Sequence, residues 1–236
     1  MIRFVVMLFL VMNANVSFAE EELILTAHNN DGEIYPYILN FENRTPSYLI
    51  ILFPGGDGNL DPKIIDGKLA YKLKGNFVIK TRNMIVDHDF ATVATNSSQS
   101  VERIQAIIDD IYSRFPSVKI YLMSTSNGTF DSLFLSAYLS DKIAGVIHTS
   151  SLKKISTLDA KLYKNRQLIV HHEKDGCSFT PFVSAEYAHE KYGTDLIVME
   201  GGISVGDPCE PLAHHGYNGI RKETIEAIKN WIKQDQ

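Results

Sequence analysis

Apolar residues along this chain fall into two recurring patterns, one typical of buried strands and the other of amphipathic helices. Residues 48–53 are apolar throughout, as expected for a strand covered on both faces. Residues 101–115 carry apolar side chains three and four positions apart, which predicts a helix with one buried face. The predicted strands are residues 23–27, 35–41, 48–53, 90–95, 118–123, 143–148, 167–172 and 196–200, and the predicted helices are residues 76–86, 101–115, 127–139, 181–192 and 220–232.

The order of these elements predicts the fold class. Two strands open the chain, with turn-forming residues at 29–32 between them. From residue 48 onward, strands and helices mostly alternate, which favours an α/β fold with a mostly parallel central sheet and helices on both faces. In such sheets the functional side chains lie on loops that follow the C-terminal ends of the strands. We therefore expect the chemistry of this protein on those loops.

The first nineteen residues have the pattern of a secretory signal peptide. Arg3 gives a positive start, residues 4–12 are apolar, and Ser17 and Ala19 place small residues at −3 and −1 of a cleavage site. The apolar run is shorter than the roughly 20 residues that span a bilayer, so an uncleaved membrane anchor is the weaker alternative. We expect residues 1–19 to be removed, residues 20–236 to form a single domain, and the protein to be periplasmic or secreted.

Charge and cysteine content narrow the classes of partner and compartment. The 236 residues carry a formal net charge of −5 without a basic stripe, so nucleic acid is not expected as a partner. The two cysteines, Cys177 and Cys209, would meet an oxidising compartment in an exported protein, and a single disulfide between them is expected.

The segment YLMSTSNGTFDS, residues 121–132, predicts a sharp turn from a strand into a helix. Ser126 stands at its centre, with the small residues Ser124 and Gly128 two positions before and after it. Such a turn holds the central residue in strained backbone geometry and exposes its side chain. The usual pattern G-x-S-x-G has glycine where this chain has Ser124, and the alternative is an ordinary turn whose serine caps the helix.

A serine hydroxyl becomes a good nucleophile when a base takes its proton and an acid orients that base. After Ser126, the strand at 167–172 leads into a loop with Glu173 and Asp175, and the strand at 196–200 leads into a loop with His214 and His215. The chain order serine, acid, histidine is that of one particular fold.

On these residues the sequence resembles the α/β-hydrolase superfamily, over nearly all of the mature chain. The turn with Gly128 and Thr129, the pair Asp175 and Cys177, and the segment from Cys209 to Gly216 resemble those of its small exported bacterial members. The resemblance rests on the glycine loop at 54–58, the turn around Ser126, Asp175 and His215. It implies that Ser126 attacks an acyl carbonyl, that His215 acts as general base, and that Asp175 orients the imidazole. Glu173 is the alternative acid and His214 the alternative base; Gly216 after His215 favours His215.

The same resemblance implies an oxyanion hole made of backbone N–H groups. Asn127, which follows the nucleophile, would supply one donor, and Gly56, or alternatively Asp57, would supply the other. A disulfide between Cys177 and Cys209 would then tie the loop of the acid to the loop of the base.

A metal site is the competing interpretation of the histidines and cysteines. Their spacing matches no zinc pattern, so no metal and no cofactor are expected. His171 and His172, at the end of a buried strand, are expected to be structural. The residues considered for a metal were His171, His172, Asp175, Cys177, Cys209, His214 and His215.

The length of the chain after the strand at 143–148 bears on the substrate. Residues 151–166 leave room for one helix and not for a cap domain, so the site should be open. The sequence thus predicts an exported serine hydrolase that cleaves carboxylic esters, acting on a small ester or on an acylated polymer. The alternatives are a non-catalytic binding protein with this fold, and an acyltransferase or peptidase that uses the same residues.

Overall fold

A computed structural model describes residues 21–234 of the chain. The signal peptide predicted at residues 1–19 lies outside the described residues. Within the described range, no helix has the length and apolar character needed to cross a membrane.

The centre of the molecule is an eight-stranded sheet in the order β1-β2-β6-β3-β7-β8-β9-β10. In this sheet β2 pairs antiparallel with both β1 and β6, and every pairing from β6 to β10 is parallel. The mostly parallel sheet predicted from the sequence is therefore confirmed. The strands are β1 (Glu21–His28), β2 (Ile34–Phe41), β3 (Tyr48–Phe53), β4 (Lys63–Ile65), β5 (Lys68–Ala70), β6 (Phe90–Ala94), β7 (Lys119–Ser126), β8 (Gly145–Ser151), β9 (Arg166–His172) and β10 (Asp195–Met199).

Helices cover both faces of this sheet, as predicted. Because neighbouring residues of a strand point to opposite faces, Leu49 and Ile51 of β3 pack on one side and Ile50 and Leu52 on the other. The first side is covered by α3 and α4, and the second by α1, α2 and α6. The helices are α1 (Phe77–Lys80), α2 (Arg82–Ile85), α3 (Val101–Arg114), α4 (Gly128–Tyr138), α5 (Phe182–Tyr192) and α6 (Arg221–Lys233).

Three details differ from the elements predicted from the sequence. The helix predicted at 76–86 is two short helices that meet at Thr81, whose hydroxyl donates to the carbonyl of Phe77 at 2.8 Å. The hairpin of β4 and β5 was not predicted, because its strands have three residues each and lie largely exposed. The segment 151–166, where one helix was expected, holds two short 3₁₀ helices, Lys153–Thr157 and Ala160–Leu162; it forms no cap domain, as predicted.

A chain of buried hydrogen bonds runs beneath the turn from β7 into α4. Ser124 Oγ lies 2.7 Å from Ser132 Oγ, which lies 2.9 Å from His148 Nδ1. His148 Nε2 lies 3.1 Å from Gln167 Oε1, and Gln167 Nε2 donates to Ser136 Oγ at 2.7 Å. The amide oxygen of Gln167 can only accept, so His148 donates from Nε2 and its Nδ1 accepts from Ser132. The chain of hydrogen bonds joins three strands to two successive turns of α4.

We expect the buried His148 to make stability depend on pH. Burial lowers the pKa of this imidazole to about 4, whereas an unfolded histidine titrates near 6.5. The unfolded state therefore binds a proton first as the pH falls, and stability decreases between pH 6.5 and 4, by up to about 3 kcal/mol from this group. His148→Asn should flatten the dependence of the unfolding free energy on pH in urea titrations between pH 4 and 7.

His28→Asn is the matched control, because His28 is exposed at the end of β1 and its removal should leave that slope unchanged. A His148→Asn variant with the slope of the wild type would contradict this account of the buried imidazole.

Candidate active site

Ser126 is the last residue of β7, and its backbone is left-handed, with φ +51°. The pairing of β7 with β8 shifts between Thr125 and Ser126, and α4 begins at Gly128, so the chain reverses within two residues. A Cβ at Gly128 would lie 3.2 Å from the carbonyl oxygen of Phe53 and 3.2 Å from the Cβ of Ser124. The turn thus brings helix and strand into close contact and leaves the side chain of Ser126 at the surface of a cleft.

The glycine loop after β3 lies directly against this turn. A Cβ at Gly55 would stand 2.9 Å from both the Cβ of Ser126 and the carbonyl oxygen of Thr125, so the position requires glycine. The side-chain amide of Asn127 donates to the carbonyl of Gly56 at 2.9 Å. The loop and the turn are thereby held together on one side of Ser126.

Two backbone N–H groups at this junction are free. In the described part of the chain, neither the N–H of Gly56 nor that of Asn127 has a hydrogen-bond partner, and both residues line the cleft beside Ser126. Asp57, the alternative donor from the sequence, is not among the described residues that line this cleft. Its carboxylate accepts from the N–H of Asn59 at 3.0 Å.

His215 and Asp175 form a buried hydrogen-bonded pair. The imidazole Nδ1 lies 3.0 Å from Asp175 Oδ2, and the side chains are 9% and 0% exposed. An ionised carboxylate can only accept, so the Nδ1–H of His215 donates to it and Nε2 keeps its lone pair. His215 stands in a 3₁₀ turn, His214–Gly216, and lines the same cleft as Ser126.

Thr180 completes the surroundings of this pair. Its hydroxyl donates to Asp175 Oδ2 at 3.0 Å and lies 3.1 Å from His215 Nδ1. The backbone N–H of Cys177 donates to the second carboxylate oxygen at 3.0 Å, and His171 Nε2 lies 3.3 Å from the first. Asp175 is thus a carboxylate surrounded by donors.

These donors set the charge of Asp175. Burial by itself raises the pKa of the carboxyl group, but the hydrogen bonds from His171, His215 and the backbone of Cys177 outweigh burial and hold the pKa well below its usual range. Asp175 is therefore ionised at neutral pH, as an acid that orients an imidazole must be.

The alternative acid and base have different neighbours. Glu173 pairs with Lys174 at 3.1 Å, and the ring of His214 packs on that of His172 with centroids 4.2 Å apart. Within residues 21–234, no hydrogen bond joins Glu173 to His215 or His214 to Asp175.

The histidines at the end of β9 bond to backbone carbonyls. His171 Nε2 lies 3.0 Å from the carbonyl oxygen of Thr180, and His172 Nε2 lies 2.8 Å from that of Gly201. Among the described residues, no cluster of three His, Cys, Asp or Glu side chains is arranged to hold a metal ion.

The cleft has a volume of about 550 Å³ and brings Ser126, His215, Gly56 and Asn127 to one surface. No hydrogen bond joins Ser126 to His215 in the part of the chain that the structure describes; in enzymes without substrate such bonds are often long and shorten when substrate binds. The remaining walls are mainly apolar and include Leu73, Phe77, Leu152, Phe179 and Pro211.

The disulfide predicted from the sequence is present. Cys177 and Cys209 are bonded, with their Cα atoms 4.6 Å apart, and both line the cleft. The bond joins the loop of Asp175 to the loop of His215.

Comparison with known proteins shows which solved structures share this fold. No family model matches the sequence, and no curated protein matches it. Solved structures of similar fold include Est1E from Butyrivibrio proteoclasticus, with 16% identity and a TM-score of 0.62 over 89% of this chain and 98% of that one. Dienelactone hydrolase from Anabaena variabilis has 10% identity and a TM-score of 0.63 over 91% and 98%. XC6422 from Xanthomonas campestris, described as an α/β serine hydrolase without a lid, has 13% identity and a TM-score of 0.55 over 90% and 97%.

At these identities the comparison defines the fold alone. The chain has the α/β-hydrolase fold, as the resemblance in its sequence implied. The described residues include no cap domain, as the short segment 151–166 predicted.

Sequence reasoning missed Thr180, which bonds to Asp175 and lies beside His215. It also missed Tyr217, whose hydroxyl bonds to the main chain of Ser150 and Val170. Thr180 follows Asp175 by five residues, and Tyr217 follows His215 by two. Their hydrogen bonds connect separate loops and strands, so no local sequence pattern predicts these contacts.

The disulfide should contribute measurably to stability. It closes a span of 32 residues, for which the chain-entropy account gives about 3–4 kcal/mol. Replacing both cysteines, Cys177→Ser with Cys209→Ser, should lower the unfolding free energy by about that amount in urea titrations without reductant. Wild-type protein unfolded in the presence of reductant is the control and should match the variant. Equal stability of the oxidised protein and the variant would refute this contribution.

Proposed function

We propose that this protein is a serine hydrolase that cleaves carboxylic esters, with Ser126 as nucleophile, His215 as general base and Asp175 as the acid that orients it. The observation that carries the proposal is the meeting in one cleft of a strained, accessible serine and a buried histidine–carboxylate pair. The two free backbone N–H groups beside the serine support it. This is the set of groups that nucleophilic acyl transfer requires.

In the first half of the reaction, Ser126 Oγ attacks the carbonyl carbon of the ester and its proton passes to His215 Nε2. The C=O bond becomes a C–O⁻ bond, and this oxyanion accepts hydrogen bonds from the N–H groups of Asn127 and Gly56. Asp175 stabilises the imidazolium ion. The tetrahedral intermediate then expels the alcohol, which takes the proton from His215, and leaves an acyl group on Ser126.

In the second half, water replaces the alcohol. His215 Nε2 takes a proton from the water as its oxygen attacks the acyl carbon, and the same N–H groups hold the second oxyanion. Collapse of this intermediate releases the carboxylic acid and returns the proton to Ser126 Oγ. One cleft and one histidine serve both halves.

The shape of the site bears on the substrate class. The cleft is open, since the segment after β8 forms two short 3₁₀ helices in place of a cap. An open cleft with mainly apolar walls suits a small ester or an acyl group on an exposed polymer. We further propose that the protein acts in the periplasm or outside the cell, because its disulfide lies between the two loops of the site and such bonds persist in oxidising compartments.

The first test of this function is the removal of the nucleophile. Ser126→Ala should abolish labelling by a fluorophosphonate probe and should lower kcat for 4-nitrophenyl acetate on the order of 10⁴–10⁶-fold. Ser113→Ala, which changes an exposed serine of α3, is the control and should label as the wild type does. Labelling retained by Ser126→Ala would move the nucleophile elsewhere, and a wild-type protein that neither labels nor hydrolyses esters would favour a binding protein of the same fold.

The second test compares the two carboxylates of the acid loop. Asp175→Asn should lower kcat roughly 10⁴-fold, because an amide in place of the carboxylate favours the wrong tautomer of His215. Glu173→Gln is the matched change and should have little effect, since Glu173 faces Lys174. The measurement is kcat at neutral pH for both variants. The reverse ranking would assign the orienting role to Glu173.

A further inference from the structure

Tyr217 joins the loop of the base to the strands of the sheet. Its side chain is fully buried, with the ring packed on Phe77 at a centroid distance of 4.5 Å. Its hydroxyl donates to the carbonyl of Val170 at 2.8 Å and accepts from the N–H of Ser150 at 2.9 Å. Val170 belongs to β9 and Ser150 to β8, so a single hydroxyl group bridges two strands.

This hydroxyl lies where the pairing of the two strands stops. The paired residues of β8 and β9 run up to Thr149 and Val170, and Ser150 follows immediately. Ser150 and Val170 are both fully buried, where a polar backbone group left without a partner is destabilising. The hydroxyl of Tyr217 supplies the partner for both.

Ser150 also bonds directly to the main chain of His215. Its hydroxyl donates to the carbonyl of His215 at 2.7 Å. Three hydrogen bonds therefore attach the segment His215 to Tyr217 to the ends of β8 and β9. Asp175 follows the end of β9 by three residues. The segment that carries His215 and the loop that carries Asp175 are therefore both attached to the end of β9.

The backbone at both residues is strained. Ser150 has φ +41° and Tyr217 has φ +52°, a left-handed conformation that is unfavourable for a residue with a side chain. Such conformations persist where the surrounding contacts enforce them, and they cluster at functional sites. The loop between β10 and Tyr217 contains three glycines with positive φ, namely Gly201, Gly202 and Gly206. Several of its backbone hydrogen bonds, such as that from the N–H of Val205 to the carbonyl of Leu212, lie within the loop and do not attach it to β8 or β9.

We propose that Tyr217 and Ser150 are positioning residues, which hold the main chain of His215 in place so that its imidazole meets Asp175 on one side and Ser126 on the other. The proposal rests on the proposed function for its kinetic consequence, and on the structure alone for the geometry of the His215–Asp175 pair. Without these hydrogen bonds, the base loop is still held by the disulfide at Cys209 and by Arg221 of α6, which donates to the carbonyls of Pro211 at 2.6 Å and Gly216 at 3.1 Å. Neither attachment joins the main chain of His215 to β8 or β9.

The experiment removes single hydroxyl groups. Tyr217→Phe keeps the ring on Phe77, and Ser150→Ala keeps the N–H that Tyr217 binds. Each should lower kcat for 4-nitrophenyl acetate roughly 10–100-fold, because a displacement of about 1 Å in a catalytic group costs up to about 10²-fold, while KM stays within about twofold. Because both changes disrupt one arrangement, the loss in the double variant should be smaller than the product of the two single losses.

Tyr37→Phe is the matched control. Tyr37 is also fully buried, and its hydroxyl bonds to Asp110 of α3, away from the cleft. This variant loses a buried tyrosine hydroxyl and some stability, and it should keep the kcat of the wild type. All measurements are made well below the melting temperature of each variant.

A second measurement does not depend on activity. The Nδ1 proton of a histidine that donates to a buried carboxylate gives a resonance far downfield in proton NMR spectra, which His215→Ala assigns by its loss. This resonance should be present in the wild type and in Tyr37→Phe, and lost or broadened in Tyr217→Phe and Ser150→Ala.

The outcomes separate the proposal from the function on which it rests. A wild type without esterase activity refutes the function, while the NMR comparison still tests the positioning role. Wild-type kcat and an unchanged resonance in Tyr217→Phe overturn the positioning role and leave the function standing. An equal loss in Tyr37→Phe also overturns it, because a general loss of stability would then explain the effect. If Tyr217→Phe does not fold, Ser150→Ala decides by the same two measurements.

Discussion

The left-handed backbone of Ser126 is the constraint on which the rest of the site depends. A residue with a side chain adopts this conformation at a cost of roughly 1–2 kcal/mol, so neighbouring contacts must enforce it. Gly128 and Gly55 allow the backbone of α4 and the glycine loop to approach the turn, and Thr129 Oγ1 donates to the carbonyl of Ser126 at 2.6 Å. The same close approach places the free N–H groups of Gly56 and Asn127 beside the serine.

The departure from G-x-S-x-G at Ser124 has a physical explanation in this arrangement. Its Cβ lies within reach of Gly128, and its hydroxyl bonds to Ser132 within the buried chain that continues to His148 and Gln167. A glycine would leave that chain without its first member. The substitution therefore adds a polar attachment between strand and helix, where the usual pattern relies on close packing alone.

Sequence patterns were sufficient for the fold because hydrophobic periodicity reports which faces are buried. The strand at Tyr48–Phe53 has the predicted bounds, and the alternation of strands and helices gave the parallel sheet. Boundaries were less accurate where local hydrogen bonds decide them, as at Thr81, where one predicted helix divides into α1 and α2. The disulfide was predictable because the chain has only two cysteines.

Only part of the candidate site could be predicted from the sequence. Ser126, Asp175 and His215 follow strands in an order that could be read from the chain, and the structure brings the histidine and the carboxylate into contact. Ser150 and Tyr217 carry no comparable signal, because their hydrogen bonds form where two strands and a distant loop meet. Left-handed conformations at such residues are a tertiary effect that no dipeptide pattern indicates.

The position of the disulfide has a consequence for how the molecule opens. The span that it closes contains α5 and β10, and β10 is an edge strand, paired with β9 alone among the described strands. Edge elements with few buried contacts separate from a domain at lower free energy than its centre, as hydrogen exchange shows for proteins in general. When this edge opens, Cys177 and Cys209 remain bonded at its base. The loops of Asp175 and His215 therefore stay joined by a covalent bond while the edge opens.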